Sequence, residues 1–551
     1  MADFPWIKQY PKEVNPEINA DKFRSVLEFY EDCINKYRDL PAFVNMGKTL
    51  TFGEVDILST QFAAFLQNNT NLKKGDRIAI QMPNLLQYPI VLFGAIKAGL
   101  IIVNTNPLYT EREMEHQFKD SGAKALVILS NFADKLETIQ KNTNIETVII
   151  TDIGDALGGV KGFIVNFVVK YIKKMVPAYS LPQAIKYKKA LAAGKEGKWT
   201  KPEIKPDDVC FLQYTGGTTG VSKGAMLTNR NIIANMVQIY EWFKPVLKDK
   251  QEVVITPLPL YHIFALTCNL LAMLKYGAKN VLITNPKDMP AFIKDLKKYP
   301  FTIMTGVNTL FNGLLNQEKF KTINFSTMKL AVGGGMAVQR PVAEKWEQVT
   351  GTKLAEGYGL TETSPVVCCN TVDGRIKLGS IGLPLPGTEV RIVNDDGKDC
   401  SIDEPGEIYV KGPQVMAGYW QRNDETAKVM EGEWLKTGDV GAMDKDGYFR
   451  IVDRKKEMVL VSGFNVYPNE VEEVISMHPK VLEAGVKGVP DEKTTEAVKA
   501  FIVKKDPSLT EEEIKEHCKK YLTSYKVPKH VVFRDQLPKS NVGKILRRLM
   551  E

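Results

Sequence analysis

The sequence predicts an α/β protein with a large N-terminal lobe, made of two α/β subdomains plus a small β-barrel-like subdomain, and a smaller α+β C-terminal domain. Three observations carry this reading. Short apolar runs alternate with amphipathic stretches over much of the chain, the pattern of helices laid on mainly parallel sheet. From about Ser380 the strands are separated by Asp396-Gly397, Pro405-Gly406 and Asp446-Gly447, which is the turn chemistry of antiparallel or barrel-like structure. After the charged joint Asp453-Arg454-Lys455-Lys456 the texture changes again, giving domains at 1–453 (β-rich from about 380 to 452) and 454–551.

The elements follow in order. Glu54–Asn68 reads as a helix; Arg77–Gln81, Ile101–Val103, Ala125–Leu129 and Glu146–Thr151 read as buried strands. The same alternation returns at Val253–Thr256, Asn280–Ile283, Ile303–Gly306 and Lys329–Val332. In the β-rich part the strands are Glu389–Val393, Gly406–Val410, Glu433–Lys436 and Tyr448–Val452. The last domain offers a helix at Asn469–His478, strands at Ala484–Val489 and Val498–Val503, a helix at Glu511–Leu522 and a strand at His530–Arg534. Thr510 with Glu513 three residues on has the spacing of a capping box.

Composition narrows the function. At 551 residues with 44% hydrophobic and 25% charged residues, a mainly disordered or fibrous chain is excluded. Seven scattered cysteines without a C-x-x-C pair, and five histidines, argue against a disulfide framework and a zinc site, and for a reducing compartment. No secretory signal and no run long enough to span a bilayer is visible, so the expected location is cytoplasmic. The net charge of +8 is too mild to imply nucleic-acid binding. It is concentrated between Lys161 and Lys205, where eleven Lys face two Glu.

The strongest chemical motif is Tyr214-Thr215-Gly216-Gly217-Thr218-Thr219-Gly220-Val221-Ser222-Lys223-Gly224 after the apolar Val209–Leu212. Small residues let backbone N–H groups approach a polyphosphate, while the hydroxyls and Lys223 supply polar contacts. Ser222 precedes the Lys and Gly224 follows it, so this is not a Walker A loop. The loop resembles the phosphate-binding signature of the adenylate-forming enzymes: acyl-CoA ligases, luciferases and peptide-synthetase adenylation domains. Further motifs come in that family's order: Gly333-Gly334-Gly335, Glu356-Gly357-Tyr358-Gly359-Leu360-Thr361-Glu362, Trp434–Asp439, Asp453–Lys456 with Ser462-Gly463, and Pro538–Lys544. The likeness spans nearly the whole chain and is greatest to bacterial long-chain fatty acid–CoA ligases.

The resemblance implies specific roles. ATP and coenzyme A are the expected co-substrates and Mg²⁺ the metal, with Glu362 and Thr215 as candidate ligands. Tyr358 offers a ring to adenine, Asp439 a carboxylate to the ribose, and Arg454 stands on the nucleotide side. Lys544 is the expected catalytic Lys, charged where negative charge builds at the α-phosphate. His262, in Pro257–Phe264, lines or gates the acyl site, which Gly306–Phe311 and the residues around Gly333 and Thr361 help to wall. The C-terminal domain is implied to be mobile, rotating at the hinge Asp453–Lys456 to withdraw Lys544 and bring Ser462-Gly463 to a pantetheine tunnel. Two positions depart from the pattern: Gly216 stands where many members have Ser or Thr, and Ser222 where many have Pro.

The expected reaction is therefore fatty-acid adenylation followed by transfer to coenzyme A. A ligase that stops at the adenylate or loads a carrier protein is the rival within enzymes. A fatty-acid binding or import protein regulated by nucleotide is the rival outside them. Homodimers are common in the family. The stretch Phe163–Val176, bracketed by Gly162 and Pro177, reads as a helix with Asn166, Lys170, Lys173 and Lys174 on one face and apolar residues over the rest. Its ~21 Å is too short to span a bilayer but suits lying on an anionic membrane surface. The alternative is that this apolar face packs on the protein's own core or a second subunit.

Overall fold

Two mainly parallel sheets form the body of the protein; the structure, a computed structural model, describes residues 4–215, 222–540 and 543–551. One sheet has seven strands in the order 185–186, 147–151, 125–129, 77–81, 101–104, 209–215, 223–228. All its neighbours run parallel except the last pair, where Val209–Thr215 turns back antiparallel into Lys223–Thr228. The second has nine strands, with a parallel centre of 279–282, 253–256, 303–306, 330–333 and 354–359. Parallel strands buried on both faces need near-continuous apolar side chains, and Ala125–Leu129 is buried at every position.

Helices fill the space around the sheets. Gln87–Lys97 is buried along its whole length, which is why it shows no amphipathic period. Four α-helices start in capping boxes: Thr51 with Glu54, Thr110 with Glu113, Thr228 with Asn231 and Thr510 with Glu513. The Thr228 box matters for the site, because the strand Lys223–Thr228 feeds straight into the helix Asn229–Phe243.

Two five-stranded sheets complete the chain. Strands 389–393, 406–411, 430–431, 434–443 and 449–454 pair antiparallel. The last sheet contains 459–461, 464–466, 481–491, 495–504 and 530–534, with its own apolar core and the helices Pro468–Ser476 and Glu511–Tyr521. No helix among the described residues is long and apolar enough to cross a membrane.

The basic segment departs from its expected form. The α-helix runs from Gly159 to Phe167, continues as a π-turn to Ile172, and ends where Lys174 takes a left-handed backbone. Asn166 does not share a solvent face with the lysines: its side chain accepts from Gly154 N (2.7 Å) and donates to Asp155 (3.1 Å). Gly162 and Gly154 approach so closely that a Cβ on Gly162 would sit 2.5 Å from the Gly154 carbonyl. The helix is thus attached along the side that carries Gly162, Val165 and Asn166, with Lys170, Lys173 and Lys174 left exposed. Val160, Phe163, Ile164, Phe167, Tyr171, Ile172 and Met175 all point out, each between 47 and 75% exposed. The apolar row does not pack on the protein's own core, which removes one half of the alternative reading and leaves a second subunit.

Candidate active site

The C-terminal ends of the central strands open onto one cavity of about 1190 Å³, the place where doubly wound sheets hold their ligands. At one side of it, Thr215 stands opposite Lys223 in the antiparallel hairpin. Gly216, Gly217, Thr218, Thr219 and Gly220 lie outside the described residues. Tyr214 acts as a strut: its hydroxyl donates to Asp120 (2.6 Å), and a Cβ on Gly224 would meet its ring at 3.1 Å.

A segment that sequence reasoning passed over completes this side. Gly418 accepts from Met226 N (2.8 Å), and Trp420 N donates to the Gly224 carbonyl (2.8 Å). The backbone thereby places Tyr419 between two candidate site groups. Its ring lies 4.5 Å from Lys223 Nζ and its hydroxyl donates to Glu362 (2.6 Å). Glu425 pairs with Lys223 at 2.7 Å and is held at about 2 by Lys223 and Lys428. The tandem Tyr419-Trp420 was the available signal, but its pairing with Gly224 is a contact across nearly two hundred residues.

The opposite wall, where a nucleoside is expected, uses neighbouring strands. Gly334 N donates to the Gly306 carbonyl (3.1 Å), and a Cβ there would stand 3.0 Å from the Gly357 carbonyl, so bare backbone suits this wall. Gly335, Gly357, Gly359 and Thr361 line the cavity beside it. Tyr358 donates to Asp439 (2.6 Å), whose other oxygen lies 3.3 Å from Arg454 Nε. Asp439 and Arg454 are register partners on adjacent strands, so two residues far apart in motif order meet through the β-ladder.

Lys544 enters from the small domain on a hairpin. Lys539 bridges Ile545, Ser540 N donates to the Lys544 carbonyl (2.7 Å), and Lys544 N donates to Ser540 Oγ (3.1 Å). At its tip Thr309 Oγ1 donates to the Gly543 carbonyl (3.0 Å). Burial, and then the Arg454 charge, push the Lys544 ammonium down to about 8. His262 faces the same space and is pushed down to about 4 by burial and by Lys544, so it is neutral at physiological pH.

Beyond His262 the cavity continues into an apolar arm. Ile239, Trp242 and Phe243, at the end of the helix begun by Thr228, face Cys268, Met273, Ile303 and Cys369 there. Ile303 and Thr305 supply this wall, whereas Gly306–Phe311 does not: Phe311 fills the space a Gly306 Cβ would take, and Thr309 turns to the Lys544 hairpin.

Other expected site residues stand apart. Gly333 lies in the strand behind the cavity, and Glu356 turns into a separate small crevice with Val338 and Arg340. Glu356 accepts from Val338 N (3.3 Å) and burial pushes its carboxyl up to about 8. Ser462 and Gly463 form an exposed positive-φ turn outside the cavity. Asp453 is buried beneath the joint while Lys456 lines the cavity. Among the described residues no three His, Cys, Asp or Glu side chains gather as a metal cluster. The carboxylate of Glu362, joined to Lys223 through Tyr419, fits a Mg²⁺ that would be carried mainly by substrate phosphates and water.

Thr215 and Lys223, the Tyr358–Asp439–Arg454 group, the buried Lys544 and the apolar side chains of Trp242 and Phe243 thus line one cavity. The chain belongs to the AMP-binding enzyme family, whose model matches residues 30–420, with the family's C-terminal domain at 470–544. It is 57% identical over 543 residues (98% of this chain, 97% of the relative) to a long-chain-fatty-acid–CoA ligase of Yersinia pestis. It is 38% identical over 548 residues (99% and 97%) to the ligase of that name from Bacillus subtilis. Among solved structures, ATP-bound MatB of Rhodopseudomonas palustris superposes with a TM-score of 0.81 at 26% identity, covering 95% of this chain and 98% of that one. Apo MatB scores 0.73 over 96% and 99%.

Proposed function

We infer that this chain is an AMP-forming long-chain fatty acid–CoA ligase. The observation that carries it is the single cavity joining Lys223, Glu362, Tyr358, Asp439, Arg454 and Lys544 to the apolar arm at Trp242 and Phe243. A carboxylate oxygen attacks the α-phosphorus of ATP, a bond forms to it, and pyrophosphate leaves with the electron pair. The CoA thiol then attacks the acyl carbon, giving up its proton, and AMP leaves. Adenylation is needed because oxide is not a workable leaving group. Lys544 offers its charge to the crowded α-phosphate, Asp439 accepts from the ribose hydroxyls, and Tyr358 presents its ring to adenine. Glu362, with the Thr215 hydroxyl, would hold Mg²⁺, which supplies charge neutralisation on the phosphates. Incubating the protein with MgATP and a panel of carboxylic acids, with and without CoA, tests this. AMP, pyrophosphate and thioester should all appear for long-chain acids, and pyrophosphate without free AMP or thioester in the presence of CoA would instead support the rival that stops at the adenylate or loads a carrier protein.

The reading extends to motion. Residues 454–551 turn as a unit at Asp453–Lys456, removing Lys544 from the cavity and bringing Ser462-Gly463 to the pantetheine path. Burial of Lys544 and the better match to ATP-bound than to apo MatB support the present arrangement as the adenylating one.

It also extends to location. Residues 161–205 dock on an anionic membrane surface, with the outward row from Val160 to Met175 in the interface and Lys170, Lys173 and Lys174 at its edge. The support is the outward apolar row beside three exposed lysines in a basic segment. About 1 kcal/mol per nearby Lys plus the apolar row suffices for reversible binding. Wild type should pellet with anionic vesicles at low salt; failure to pellet, or indifference to changing all three lysines to Glu, sinks the docking.

A further inference from the structure

The most heavily engaged side chain outside the cavity's chemistry is Arg547. It lies three residues beyond Lys544 and is nearly buried. Its Nη1 donates to Asp453 (3.0 Å) and Glu457 (2.5 Å), its Nε and Nη2 clasp both oxygens of Glu472 (2.8 Å each), and Nη2 also donates to Asn469. One cation thus serves three carboxylates. These carboxylates belong to different bodies. Asp453 is on the last strand of the third sheet, which belongs to the large lobe; Glu457 is in the joint; Glu472 is on the small-domain helix Pro468–Ser476.

The geometry separates the bonds into two kinds. Arg547 and Glu472 both belong to the small domain, so a rotation at the joint carries them together. Arg547 and Asp453 lie on opposite sides of the pivot, so the same rotation must break or rebuild their pair. Arg547 is also the root of the Lys544 hairpin, whose Leu546 N donates to Pro538 (2.8 Å), while Thr309 holds the tip. Burial pushes the Asp453 and Glu472 carboxyls above the usual range, against the pull of Arg547. Without Arg547, Asp453 and the buried Glu472 would lose the cation they share, and buried groups stripped of a partner cost far more than exposed ones.

We propose that Arg547 is a positioning residue: its pair with Asp453 latches the joint in the adenylating arrangement and thereby sets Lys544 in the cavity. The proposal rests on the two-arrangement reading above. In the transfer arrangement the latch is open, so Arg547 is dispensable for the second half-reaction.

The test measures the half-reactions separately in the full chain. For Arg547→Gln, pyrophosphate release without CoA should fall on the order of 100-fold, with thioester formation from supplied acyl-adenylate within about threefold of wild type. Trypsin should cut the variant faster at Lys455 and Lys456 in the presence of ATP. Arg547→Lys, which keeps the charge but loses the fork, should show the same split less severely and stands in if the Gln variant fails to fold. A merely structural role predicts equal loss in both half-reactions, and that result, or no loss in either, overturns the latch. Lys544→Ala run alongside separates the layers. If it splits the half-reactions and Arg547→Gln does not, the latch alone fails; if it too hits both equally, the two-arrangement reading fails and the latch with it.

Discussion

The large lobe and the small domain hold their shares of the site by different means. Tyr358, Asp439 and the Gly334 wall sit on strands whose β-ladders leave no alternative position; Asp439, for instance, is itself only 5% exposed. Lys544 is held by side-chain contacts across the boundary: Thr309 to Gly543, Asn312 to the Leu482 carbonyl (3.0 Å), Gln339 to Ser476 (2.8 Å), and the Arg547 cluster. Ladder bonds cannot be broken one at a time, whereas a handful of polar contacts can be exchanged for water at little net cost. On the proposed reading, the groups that would bind nucleotide in both steps are permanent, and the group wanted in one step is detachable.

The sharpest way to break that contrast is Lys544→Ala. Adenylation should fall about 100–1,000-fold, while transfer from supplied acyl-adenylate to CoA stays near wild type; stopped-flow pyrophosphate and thioester assays read the two. Next comes Gly463→Leu. Its φ of +84° lies in open space, so the turn is strained but nothing is struck in this arrangement. Thioester formation should drop about tenfold or more, with pyrophosphate release in the absence of CoA intact and only a modest loss of melting temperature. Loss of both activities with a large fall in Tm would mean that the glycine serves only its turn.

A smaller effect is expected from pH. Lys544 must be protonated to offer charge, and its ammonium loses its proton near 8 before substrate arrives. The kcat/KM for ATP should accordingly be halved near pH 8 and fall about tenfold per unit above it, while transfer from acyl-adenylate does not follow this profile. His262, already neutral above about 4, contributes no limb between pH 5 and 8. The smallest is Asn312→Ala, which removes one cross-boundary bond. Adenylation should slow by about two- to tenfold, in line with ~0.5–1.5 kcal/mol for a single hydrogen bond, with no change in transfer.

Much of the frame was legible because parallel strands write themselves as uninterrupted apolar runs. Arg77–Gln81, Ala125–Leu129, Val253–Thr256 and Ile303–Gly306 have the same bounds in the structure. The helix Gln87–Lys97 escaped because burial on all sides erases the 3.6-residue period. In the site, motifs located the right loops but not the facing of each residue. Tyr358 meets the cavity while Glu356, in the same motif and strand, occupies another crevice. Tyr419, Glu425 and Arg547 were missed because their meaning lies in partners distant in sequence, Lys223 and Glu362 for the first two and Asp453 for the third. In the basic segment the amphipathic pattern gave the apolar row, but Asn166 faces Asp155 on the inner side, with Gly162 and Val165 and away from the lysines, because the close approach to Gly154 is a tertiary contact.

That outward row has a consequence for handling the protein. Seven large apolar side chains between Val160 and Met175 are exposed, and another copy of the same helix is one way to cover them when no lipid is present. Two copies could bury their rows against each other at high concentration and part again when vesicles or detergent are supplied. The apparent molecular mass is then a property of the solution as much as of the chain. A dimer band seen by light scattering in plain buffer should be titrated with lipid before it is assigned to the enzyme's working form.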